Sequence, residues 1–204
     1  MEMKNAAAPR VPIIQHPDVR RMLLWMKSQV EGMRALLYYS AYLVDMERVL
    51  ADGTEKDKCS GMLEVLTPIC KAYCSDMGFR VTETAMQCYG GYGYCSEYPI
   101  EQFMRDAKIT SIYEGTNGIQ SLDLVGRKLG MKGGTYFMAL LSEMNGTVAK
   151  VKDNPALKDL AADVQAAVDT LAEMAMHFAK CGAEGKFFIP LVNSYPFLMM
   201  MGRI

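Results

Sequence analysis

Apolar residues in the first fifty positions recur at helical spacing: Val19, Met22, Leu23, Met26, Val30, Met33 and Leu37. Steps of three and four bring side chains onto one face of an α-helix. Pro17 and Asp18 suit a first turn, so a long helix is predicted over about 17–50. Residues 52–58, a run of charged and small side chains, read as a polar loop. Leu66, Ile69, Tyr73, Met77, Val81 and Met86 mark a second long helix over about 62–88, which Pro68 should bend or break near its start. Residues 90–99 read as a loop and 100–112 as a short helix. Ile119, Leu122, Val125 and Leu129 then carry a helix to about 129, with Asn117 and Gln120 as its capping pair. After a linker at 130–134, helices are predicted over about 135–151 and 156–181, separated by Asn154-Pro155, and a last apolar helix follows residue 186. No strand alternation and no internal repeat is present, so the predicted class is all-α.

Composition narrows the picture. A chain of 204 residues, half of them hydrophobic, can bury a core and is not disordered. Net charge is −1, with no run of like charge, which argues against a nucleic-acid partner. The first ten residues lack the apolar centre of a secretory signal, and a cytoplasmic location is expected. The six cysteines show no zinc-type pairing, so no metal site is predicted; Cys70 and Cys74 share a helix face and read as buried thiols. The apolar run at 187–201 is interrupted by two prolines, Asn193 and Ser194, and falls short of the ~20 residues of a membrane span. Its abrupt end at Gly202-Arg203-Ile204 suggests that the natural chain continues. The 18 methionines follow the helical stripes as adaptable core filler.

The candidate chemistry centres on Ile112-Tyr113-Glu114-Gly115-Thr116-Asn117-Gly118-Ile119-Gln120. A carboxylate there, in the turn before a helix and partly desolvated, can serve as a base near neutral pH. The N–H groups that follow suit an anionic oxygen or a phosphate. From composition alone, Glu114 also reads as a solvated loop carboxylate. Gly115 lets a substrate approach the backbone, or is an ordinary turn glycine. Gly90-Gly91, taken alone, reads as a helix C-cap. Arg105-Asp106 reads as an ion pair orienting the Glu114 turn, His16 as a cap or surface residue, and His177 as a surface or packing residue.

The runs Gln87-Cys88-Tyr89-Gly90-Gly91-Tyr92-Gly93-Tyr94, Glu97-Tyr98-Pro99-Ile100-Glu101, Arg105-Asp106-Ala107-Lys108-Ile109 and Ile112 to Gln120 follow one another in order. Together, from Gln87 to Leu129 without a gap, they resemble the C-terminal half of an acyl-CoA dehydrogenase. Weaker similarity reaches back to residues 16–23 and forward past Leu129. The branch most similar is the long bacterial one typified by 3-methylmercaptopropionyl-CoA dehydrogenase, with an extra helical segment at its C-terminus.

The resemblance implies an up-down helical bundle at 16–130, preceded by a tail at 1–15 and followed by an appended helical segment at 131–204. It implies α,β-dehydrogenation of an acyl-CoA thioester, with Glu114 as the base that takes the α-proton and hydride passing to flavin N5. Gly115 would approach the substrate. Thr116, Asn117 and Gly118 would contact FAD, although many relatives carry a long polar side chain where this chain has Gly118. Gln87, Cys88, Tyr89, Gly90 and Gly91 would reach the FAD of a neighbouring subunit in a dimer or tetramer, and electron-transfer flavoprotein is the implied acceptor. The family's N-terminal helical domain and middle β-domain, which supply most flavin contacts, have no counterpart here, and Arg10 is the one candidate for an arginine that relatives place against the flavin pyrophosphate. The chain therefore looks like an excised fragment, expected to be inactive alone. The competing expectation is a non-catalytic helical oligomerisation or interaction module on the same fold.

Overall fold

The computed structural model describes residues 7–204; the first six residues of the predicted tail lie outside the described residues. Ile13–Gln15 makes a 3₁₀ turn that leads into the first helix. Helix α1 (Pro17–Val49) runs out and α2 (Thr54–Tyr89) returns against it. Then come α3 (Ile100–Ile109), α4 (Asn117–Asp123), α5 (Thr135–Val151), α6 (Lys158–Ala183), α7 (Phe188–Val192) and α8 (Ser194–Met201). Among the described residues there is no strand, and the chain is all-α.

Several boundaries differ from the sequence pattern, each for a local reason. Helix α2 starts at Thr54 rather than near Met62, because Gly53 turns the chain and Glu55 and Asp57 place negative charge in the first turn. It also continues unbroken through Pro68. The lost hydrogen bond is outweighed there because Val65, Leu66, Pro68, Ile69 and Ala72 are all buried in the core. The cap of α4 is Thr116, whose hydroxyl accepts from Ile119 N–H at 3.3 Å; Asn117, the expected cap, is the first helical residue. Helix α4 then widens into a π turn at Leu124–Lys128, with Leu129 N–H reaching Leu124 O. The last apolar stretch is two short helices, broken at Asn193, with Pro196 in the first turn of α8 where no N–H is needed.

One apolar core unites these elements across residue 130. Leu43 of α1, Val65, Ile69 and Ala72 of α2, and Leu124 meet Phe137 and Leu140 of α5, Val168 and Leu171 of α6, and Phe197 and Leu198 of α8. Two glycines set how closely the later helices approach α2. A Cβ at Gly61 would overlap the Tyr136 ring, and one at Gly202 would overlap Tyr73. Polar ties follow the same seams: Lys58 with Glu143 at 2.8 Å, the buried Lys128 with Glu64, and Tyr195 hydroxyl donating to Asp76 at 2.6 Å. Lys132, left-handed at φ 47° in the 131–134 turn, and Tyr136 both donate to Asp57.

Candidate active site

The crossing between α3 and α4 is a short loop closed at its base, where Asn117 N–H donates to Ser111 O at 3.2 Å. Inside it, Glu114 and Gly115 are both left-handed, at φ 55° and 77°. Glycine adopts that region freely, but a glutamate does so at a cost of roughly 1–2 kcal/mol. Two tethers hold the conformation. Gln120 Nε2 donates to Glu114 O at 3.2 Å, and Lys71 Nζ, reaching over from α2, donates to Gly115 O at 2.5 Å. A Cβ on Gly115 would stand 3.2 Å from Gln120 Nε2 and press on that tether, but it is the φ of 77° that calls for glycine. With both carbonyls tied back, the N–H groups of Glu114, Gly115 and Thr116 have no acceptor among the described residues.

Glu114 was expected to be partly desolvated; it is exposed, because no element among the described residues packs over the turn. It stands at the edge of a cleft of about 420 Å³ between α2 and α3, with Lys71, Cys74, Ser75, Gly78 and Tyr113 among the lining residues. Burial pushes the Lys71 ammonium below the usual lysine range, against the pull of Asp76 and Glu114. Burial also pushes the Cys74 thiol up to about 12 and raises Cys70, so both are held as neutral thiols. They are half-buried rather than fully buried.

The three residues after Gly115 differ in what they leave free. The Thr116 hydroxyl is engaged as the helix cap. The Asn117 side chain is 6% exposed and turned inward, donating to Ala72 O and Ser75 Oγ and accepting from Lys71 Nζ at 2.9 Å. Gly118 offers only backbone, in an exposed first turn. Lys71 and Ser75 were not singled out in the sequence. The available signal was that Lys71 is the one charge between Val65 and Ser75.

The second stretch, Gln87–Gly91, lies at the other end of α2. Gly90 is the C-cap, at φ 63°, and a Cβ at Gly90 or Gly91 would meet nothing within 4 Å, so this backbone is open to approach. Gln87 and Tyr89 are exposed and Cys88 is half-buried. Tyr92 and Tyr98 pack with ring centroids 5.5 Å apart beside the glycines. From Lys71 to Gly90 is nineteen residues of helix, roughly 28 Å at 1.5 Å per residue. Arg105 and Asp106 are both exposed and form no ion pair among the described residues, so the expected ion pair beside the Glu114 turn is not made. His16 takes the N-cap position of α1 without a side-chain bond, and exposed His177 sits 3.5 Å from Cys181 Sγ. Among the described residues no group of His, Cys, Asp and Glu could hold a metal ion, and no helix is long and apolar enough to cross a membrane.

The same all-α arrangement is found in the crystal structure of Caenorhabditis elegans ACDH-11 in complex with C11-CoA. That chain superposes on 95% of this one with a TM-score of 0.75 at 22% identity, using 34% of its own length. Residues 3–130 match the family model described as acyl-CoA dehydrogenase, C-terminal domain. The chain belongs to the acyl-CoA dehydrogenase family. A butyryl-CoA dehydrogenase of Syntrophomonas wolfei is 46% identical over 144 residues, covering 71% of this chain and 24% of that protein. The 3-methylmercaptopropionyl-CoA dehydrogenase of Ruegeria pomeroyi is 39% identical over 151 residues, covering 72% of this chain and 25% of that protein. The chain spans about a quarter of the length of these curated relatives.

Proposed function

We propose that this chain is the part of an FAD-dependent acyl-CoA dehydrogenase that carries the catalytic base, and that Glu114 is that base. The observation carrying the proposal is the Glu114 turn itself. A non-glycine residue held left-handed by two separate tethers is costly unless the placement of its side chain matters. The tethers take up the carbonyls and leave the N–H groups outward, as needed to bind a thioester oxygen while the carboxylate removes the adjacent proton. A general base of this kind contributes ~10²–10⁴-fold.

The residues fit a flavin at the level of backbone. Open N–H groups at 114–116 and the uncluttered Gly90 and Gly91 can accept a dinucleotide, whereas the Asn117 side chain is engaged internally and would reach it only through its N-terminal backbone. When bound, the flavin supplies the hydride-accepting chemistry. The two stretches are roughly 28 Å apart along α2, too far for one chain to bring both to one reaction centre, which supports placing Gln87–Gly91 against a second subunit's cofactor. The exposed rings of Tyr92 and Tyr94 beside that stretch fit burial in an oligomer.

The test is Glu114→Gln in the flavin-loaded enzyme. Glutamine keeps the shape and cannot take a proton as a carboxylate does. Flavin should remain bound while its reduction by acyl-CoA in a single turnover falls at least 10²-fold. Reduction at the wild-type rate would remove Glu114 from its assigned role.

A further inference from the structure

We propose that Lys71 is a positioning residue for the reaction: its ammonium holds the Glu114–Gly115 turn in the left-handed shape that aims the carboxylate. The proposal rests on Glu114 being the base.

Lys71 lies 44 positions before Gly115 and on a different helix, yet both its hydrogen-bond acceptors belong to the turn and the residue after it: Gly115 O at 2.5 Å and Asn117 Oδ1 at 2.9 Å. The other lysines that hydrogen-bond to distant elements among the described residues do so to carboxylates: Lys58 to Glu143, Lys128 to Glu64 and Lys132 to Asp57. Lys71 forms no ion pair among the described residues and spends its donors on neutral oxygens instead. Burial lowers the proton affinity of this ammonium even though Asp76 and Glu114 pull the other way, so its seat against the turn carries a desolvation cost. A generic tie between helices needs no charge, since the neutral amide of a glutamine also carries two N–H donors.

The surrounding bonds make the clamp stiff. Asn117, which supplies the second acceptor, is itself fixed by Nδ2 donating to Ala72 O and to Ser75 Oγ. Lys71, Ala72 and Ser75 lie within little more than one turn of α2, so a single rigid patch sets the position of both Gly115 and Asn117. Without the ammonium, Gly115 O loses its only partner among the described residues, and the tether from Gln120 acts on Glu114 O alone. The left-handed pair would then relax toward negative φ, which swings the Glu114 side chain. A displacement of about 1 Å at a reacting group can cost ~10²-fold in rate.

The test compares Lys71→Met with Lys71→Arg and has two arms. The first uses this chain alone and reads amide hydrogen exchange. In Lys71→Met the Asn117 amide, which closes the loop onto Ser111, should exchange about 10-fold faster, while core amides at Val65 and Leu171 keep wild-type protection; Lys71→Arg should restore the slow exchange. The second uses the flavin-loaded enzyme and reads single-turnover flavin reduction. Lys71→Met should slow reduction about 10²-fold with substrate Kd and flavin content unchanged, and Lys71→Arg should recover at least a tenth of the wild-type rate. Glu114→Gln run in parallel separates the two claims. If Glu114→Gln reduces flavin normally, the base assignment fails. If Glu114→Gln is dead and Lys71→Met is as fast as wild type, the base stands and the positioning role is overturned. Core amides that lose protection together with Asn117, or a rate loss that only tracks lost flavin, would overturn it in favour of a merely structural lysine. Should Lys71→Met not fold, the Lys71→Arg variant decides: wild-type Asn117 protection with a wild-type rate supports the clamp, and a rate 10²-fold down despite that protection overturns it.

Discussion

Replacing Asn117 by alanine should destabilise the chain by about 2–3 kcal/mol. Two neutral hydrogen bonds from Nδ2, to Ala72 O at 3.2 Å and Ser75 Oγ at 2.9 Å, would be lost, each worth about 1 kcal/mol. The charged bond from Lys71 Nζ would add roughly 1.5–3 kcal/mol if fully enclosed. Lys71 and Ser75 border the cleft, so water can replace part of that loss, which brings the total down to the lower figure. For a chain of this size the drop corresponds to roughly 5–10 °C in Tm. Asn117→Asp is the informative companion: it keeps an acceptor for Lys71, gains an opposite charge, and loses the donor to Ala72 O. Its expected loss is about 1 kcal/mol. Urea unfolding of the wild type, Asn117→Ala, Lys71→Met and the double variant should give a coupling of about 1–2 kcal/mol between the two sites. A loss below about 0.5 kcal/mol for Asn117→Ala, or sites that add independently, would refute the picture of Asn117 as an internal strut.

Gly61→Ala places a methyl group into the ring of Tyr136, which is buried and fixed through its hydroxyl to Asp57 at 2.9 Å. Although alanine favours the helix by about 1 kcal/mol, overpacking should win and lower stability by about 2 kcal/mol net in urea unfolding, with Tyr136→Ala in the same chain restoring much of the packing strain. Hydrogen bonds from Lys132 and then Tyr136 hold the Asp57 carboxyl below the usual carboxylate range. The folded form therefore favours the ionised group, and its contribution is complete above the ordinary value of 3.8 and lost as pH falls through the lowered folded one. The Tm gap between wild type and Asp57→Asn should stay constant from pH 6 to 8 and close in the acid range; a gap that widened on acidification would contradict the assignment.

Much of the architecture could be read from side-chain spacing, because helices are local. The stripe in 135–151 gave α5 to the residue, since the glycines before it and the turn after it are strong breaks. Pro68 does not break the helix, because its local cost is set against burial that only the assembled core provides. The charged run at 54–58 misled: polarity excludes a buried helix but not a solvated first turn. The motif singled out Glu114 and Gly115 but could not reveal the left-handed backbone of a glutamate, nor the bond to Gly115 O from Lys71 more than forty positions away. The inward turn of Asn117 was hidden for the same reason, as its partners Ala72 and Ser75 lie on α2. Exposure of Glu114 could not follow from the motif either, because desolvation is a property of what covers a residue.

The short stretch 71–76 of α2 links these observations. Lys71 and Ser75, four residues apart and so on one face, grip Gly115 of the Glu114 turn and Asn117. Tyr73, on another face, donates to Gln29 of α1 at 3.0 Å and carries the close approach of Gly202 after α8. Asp76 accepts from Tyr195 at the start of α8. Helix α8 also packs on α4, the helix that begins where the Glu114 turn ends. The segment beyond residue 130, outside the stretch matched by the family model, is thus fastened to the two helices that fix the turn. A rigid helix transmits a shift at one face to the other, because its backbone hydrogen bonds leave little freedom between neighbouring turns. Loosening at Gly202 or Tyr195 should therefore reach Lys71 and Asn117 through α2 and α4, whereas loosening at the far end of α6 has no such short route.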